Sequence, residues 1–185
     1  MSRILTDTAA TALWHELVRE AGSNGAASLD SDTESYLVFL LMRHLRDTGL
    51  AGHVFALDYL QALNASRTPR QQQLRDVGDR CLLIAGLYPQ QAQRRLVGLD
   101  YFLSLGSQAY ADLAAAARTA WAEFYRSLAA RFARLVRVLV EVRRLGAGSD
   151  AIGALDRHSL CLADPAGAAH EFPGTIVIAG SARLM

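Results

Sequence analysis

Lysine is absent from this chain: all 19 basic residues are arginine, set against 18 acidic ones. Without a lysine amine there is no Schiff-base chemistry, no internal cofactor aldimine and no P-loop lysine, and only the N-terminus is left to acetylate. Cysteine is scarce. Cys81 and Cys161 stand far apart with no second metal ligand close to either. They read as two reduced thiols, Cys81 lying in an apolar helix. The five histidines, at 15, 44, 53, 158 and 170, include no pair at the i,i+4 spacing of a helical metal site. His44 and His53 can meet across a turn, but they lack a third ligand. No metal and no cofactor are therefore expected. Long apolar runs are missing too. The stretch 135–145 comes nearest and contains Arg137, Glu141, Arg143 and Arg144, so no transmembrane segment is expected. The first residues, Met1 to Asp7, lead into no apolar h-region, which argues against a signal peptide and for a cytoplasmic protein. No serine sits in a nucleophile elbow, and the glycines at 22 and 25 or 146 and 148 read as helix terminators rather than a nucleotide loop.

What is abundant is helix-forming material. Alanine (32) and leucine (29) make up a third of the 185 residues, a mixture that favours closely packed helices over sheets. The length suits one domain. The expected fold is all-α, a single multi-helix bundle of six or seven helices over 1–148. Residues 149–185 add a short helix (150–162) and an extended arm, strand-like near 172–180, to the same domain.

The apolar periodicity predicts helices over 8–21, with Leu13, Trp14, Leu17 and Val18 on one face, and from Ser31 or Asp32 as N-cap to about 46. The all-round apolar run 37–42 suggests that this second helix is central. A third helix over 52–64 buries Phe55, Tyr59, Leu60 and Leu63. Pro69 opens a fourth that Gly86 ends, and Pro89 opens a fifth that runs to 105. Gly106-Ser107 reads as a break and N-cap. From 108 to 145, Trp121, Phe124, Leu128, Phe132, Leu135, Leu139 and Val142 recur at steps of three or four, with a hitch near Arg118 or Thr119.

Polar residues inside apolar helices are the candidate site. Asp76 and Asp79 in the fourth helix and Asp100 in the fifth, with Arg80, Arg94 and Arg95, form either a structural network or a pocket. Such a pocket would be lined by Asp79, Arg95, Asp100, Tyr101 and Tyr110. Structural pairing is the plainer reading, since no matched base or metal ligand accompanies the carboxylates. Residues 118–144 carry seven arginines against Glu123 and Glu141, yet no recognition-helix pattern or exposed aromatic series accompanies them. The near-neutral net charge of +1 also makes nucleic acid an unlikely partner.

The segment Gly78-Asp79-Arg80-Cys81-Leu82-Leu83-Ile84-Ala85-Gly86-Leu87-Tyr88-Pro89 resembles a group of uncharacterised proteobacterial helical proteins. So do Arg94-Arg95, Asp100-Tyr101-Phe102 and the run from Leu105 to Tyr110. The resemblance implies a helical, bacterial protein and assigns no role to any residue. The leading expectation is a non-enzymatic protein–protein interaction or accessory protein, with a protein partner or self-association as a homodimer. The alternatives are a small-molecule or lipid-binding bundle with a pocket around 79–110, and a nucleic-acid-associated protein using 118–144.

Overall fold

The computed structural model describes residues 7–24, 29–46, 54–89, 98–118 and 120–147. Seven helices make up its regular structure: α1 (Asp7–Asn24), α2 (Ser31–Arg46), α3 (Phe55–Asn64), α4 (Arg67–Leu87), α5 (Leu99–Ala116), α6 (Ala120–Ala130) and α7 (Phe132–Leu145). Among the described residues there is no strand. The all-α bundle is thus as expected. The C-terminal arm, 149–185, and Arg94 and Arg95 lie outside the described residues.

The middle of the bundle is α4, which packs on α5, α3 and α7, while α1 joins α2 to α7. Its second half is buried almost without interruption from Val77 to Leu87, because neighbours cover it on several sides. The α2 helix is less central than its apolar run suggests. Phe39 is 78% exposed, and α2 reaches α4 through long polar side chains. Its N-cap is Asp30, whose Oδ1 accepts the Thr33 N–H at 2.8 Å, one residue before the expected cap.

One expected boundary is absent, one is kept and one is new. No break occurs at Gly106-Ser107, where α5 runs straight through. Ser107 Oγ donates back to the Ser104 carbonyl at 3.1 Å instead of capping a new helix. Gly106 serves close approach: a Cβ there would lie 2.2 Å from Phe132 Cζ and 2.8 Å from Cys81 Cβ. The expected hitch near Arg118 does separate α5 from α6, with Ala117 extended at φ −80°, ψ 162°. A second break at Arg131 divides α6 from α7 without glycine or proline. Arg131, at φ −104°, ψ 10°, leaves its carbonyl to accept the N–H groups of Arg134 and Leu135.

These breaks turn the apolar stripe. Leu128, Phe132, Leu135, Leu139 and Val142 are buried as expected, but Trp121 is 64% exposed and Tyr125 is buried in its stead. On α3, Phe55 is buried and Tyr59 and Leu63 are partly so, whereas Leu60 faces outward.

Candidate functional site

Asp79 lies in the apolar half of α4, where turns of leucine, isoleucine and alanine surround it and only 3% of the residue meets solvent. A carboxylate so placed must find donors within the protein. Tyr110, from α5, donates to Oδ1 at 2.7 Å, and the Tyr36 hydroxyl, from α2, donates to the same oxygen. Arg43, two turns along α2, donates to Oδ2 at 3.1 Å and to Asp76 at 3.0 Å. Both oxygens of Asp79 are thereby taken by protein donors.

Aromatic rings fill the space around this pair of helices. Tyr36 meets Phe124 edge-on with centroids 5.3 Å apart, and Tyr110 lies 6.1 Å from Tyr125. A Cβ on Gly78 would stand 2.5 Å from the Tyr110 ring, so Tyr110 reaches Asp79 only because α4 offers no side chain there. Burial raises the Asp79 carboxyl above its ordinary value, opposed by the two tyrosine hydroxyls, Arg43 and Arg75. Burial, and then the adjacent Asp79 carboxylate, hold Tyr36 and Tyr110 well above 10.0. The tyrosines therefore remain donors at neutral pH.

Of the residues singled out from the sequence, Asp79 and Tyr110 come together, in packed core rather than on a cavity. Asp100 is exposed. Tyr101 is half-buried and packs its ring on Phe102 with centroids 5.2 Å apart. Arg80 turns to Asp58 of α3 at 3.4 Å. The true partners, Tyr36 and Arg43, share one face of α2 and stand seven residues apart at the two ends of its apolar run, which is the signal that sequence reading passed over. Arg75, one turn before Asp79, bridges outward to the Tyr125 hydroxyl.

Beyond Tyr125 the surface opens. A groove of about 590 Å³ runs between the first half of α4 and the α5–α6 junction, with Arg67, Gln71, Arg75, Arg118, Trp121 and Tyr125 in its walls. A hollow of about 360 Å³ shares Arg67 and Ala116 with it and adds Arg70. Gln71 Nε2 donates to the Ala116 carbonyl at 2.6 Å and ties the two walls together.

The remaining arginines of 118–144 serve varied contacts. Arg131 pairs with Asp30 at 3.0 Å. Arg143 donates to the Leu87 carbonyl at 2.8 Å and lies over the Tyr88 ring. Arg144 pairs with Glu141, at 2.6 Å. His44 meets the Tyr88 hydroxyl at 3.0 Å, and Cys81 is a buried free thiol. Among the described residues no cluster of three or more histidine, cysteine or acidic side chains is placed to hold a metal ion. No described helix is long and apolar enough to cross a membrane.

The fold and site together define an all-α bundle with a carboxylate–tyrosine–arginine network at its centre and an arginine-lined groove beside it. Compared with protein-family models, curated proteins and solved structures, the chain matches none of them.

Proposed function

We propose that this chain is a non-catalytic interaction protein that pairs with a second copy of itself through the outer face of α3. The observation that carries this reading is the sidedness of that ten-residue helix. Phe55 and Ala62 point inward, whereas Val54, Leu57 and Leu60 are 57%, 54% and 52% exposed on the opposite side. Gln61 and Asn64 flank the stripe, and the carboxylate of Asp58, beside Leu57, is turned to Arg80. Apolar side chains at steps of three, free of charge at their centre, match the composition of an interface core. A two-fold axis lets one such patch serve both copies. The resemblance to uncharacterised proteobacterial helical proteins adds no activity to this reading.

Sedimentation equilibrium tests it. The expected result is a reversible dimer that Leu57→Asp and Leu60→Asp convert to a monomer while the helical circular dichroism is kept. A wild-type chain that stays monomeric at high concentration, or a dimer indifferent to both substitutions, overturns it.

A further inference from the structure

The groove between α4 and the α5–α6 junction lies apart from the outer face of α3, and its chemistry is cationic. Arg67, Arg75 and Arg118 line it, Arg70 lines the adjoining hollow, and no carboxylate is among the described lining residues of either. Neither Arg67 nor Arg70 forms an ion pair with any described residue. The Nε atoms of Arg70 and Arg75 are buried and find no acceptor there. Arg75 has the Asp79 carboxylate as a counter-charge, whereas gathering Arg67 and Arg70 without one is unfavourable unless an anion joins them. The N-terminus of α4 lies at this groove, where no side chain caps it, and the backbone N–H groups of its first turn add to the same field.

Trp121 supplies the second half of the chemistry. It is 64% exposed, yet its ring is held by stacking on Tyr125 with centroids 6.2 Å apart. Tyr125 in turn packs on Tyr110 with centroids 6.1 Å apart. A large, rigid, outward aromatic face beside several guanidinium groups suits a ligand with a flat ring and a phosphate.

We propose that this groove binds a phosphorylated small molecule carrying a planar aromatic ring, the chemistry of a nucleotide. The ring lies against Trp121, and the phosphates take the forks of Arg67 and Arg70. The volume of about 590 Å³ falls within the usual range of small-molecule sites, about 300–1,000 Å³. One exposed ring offers one stacking place, whereas sites for single-stranded nucleic acid stack successive bases on several.

Isothermal titration of the full chain with adenosine diphosphate, adenosine and inorganic phosphate tests the assignment. Adenosine diphosphate is expected to bind with saturation and more tightly than either fragment. Trp121→Ala and Arg67→Gln should each weaken it by about tenfold or more. Arg19→Gln, on α1, should leave binding unchanged. Melting temperatures of the same variants separate lost binding from lost folding. The proposal is overturned by the absence of saturable binding at millimolar nucleotide, by unchanged affinity in folded Trp121→Ala and Arg67→Gln, or by an oligonucleotide that binds where adenosine diphosphate does not.

Discussion

Asp79 shows how much a single side chain can demand of its surroundings. Both of its oxygens are satisfied by groups from two other helices, and Arg43 neutralises it from the rim, where 46% of that side chain still meets water. Asp79→Ala removes the shared acceptor of Tyr36 and Tyr110. Arg43 can turn into solvent, but the tyrosine hydroxyls cannot, and each unsatisfied one costs about 1–3 kcal/mol. The expected loss of stability in urea titration is about 2–4 kcal/mol. Asp79→Asn keeps an acceptor for the tyrosines and should lose less. A loss from Asp79→Ala no larger than that of an ordinary exposed substitution contradicts this account. At this scale the sequence reveals the demand but not the donors. A carboxylate amid Cys81-Leu82-Leu83-Ile84 must be paired, whereas nothing local indicates that its partners lie 36 and 43 residues earlier.

Helices are the level at which sequence reading succeeds best, because burial against one side imposes a period that survives in the residue order. It fails at Gly106 and at Arg131. Gly106 reads as a terminator from its propensity, but it is retained so that α5 can approach Phe132 and Cys81. Arg131 ends a helix with no breaker in sight, its carbonyl turned to the N–H groups of Arg134 and Leu135. Gly106→Ala sets these forces against each other. Alanine gains about 1 kcal/mol of helix propensity, while the added methyl overpacks buried neighbours at a cost of about 1–3 kcal/mol. Cys81 Cβ, attached to the α4 backbone, cannot swing aside, so a net loss is expected, seen as a lower urea midpoint. A raised midpoint contradicts the close-approach reading. Asp30 separates two local effects in the same way. Its bridge to Arg131 is between side chains that are about half exposed and contributes little. The Thr33 cap is worth about 1 kcal/mol. Asp30→Ala should therefore cost about 1 kcal/mol and Asp30→Ser, which can still cap, only a few tenths. Equal losses from both substitutions would assign the stability to the ion pair instead.

At the scale of the whole molecule, the absence of lysine simplifies the response to alkali. Arginine stays charged throughout, so tyrosine and cysteine dominate side-chain titration above neutrality. Tyr36 and Tyr110 are held well above 10.0 by burial and by Asp79. Burial also pushes the Cys81 thiol above its ordinary 9.0. Burial, and then the bond to Asp112, raise Tyr59 to about 12. In each case the unfolded chain releases its proton first as pH rises, so alkali favours unfolding. The stability these protonated groups provide is whole below their ordinary values and is lost progressively as pH climbs towards the folded ones. Each fully shifted group lowers stability by about 1.4 kcal/mol per pH unit in that window. Side-chain titration should therefore leave the melting temperature little changed from neutrality towards pH 9 and then make it fall steeply beyond 10. The pair Tyr36→Phe and Tyr110→Phe deletes two of the contributing protons. That double variant starts less stable, since Asp79 loses two donors, yet its alkaline slope must be shallower than that of the wild type. Parallel slopes would show that the central tyrosines do not hold their protons in the folded bundle, and the network around Asp79 would have to be redrawn.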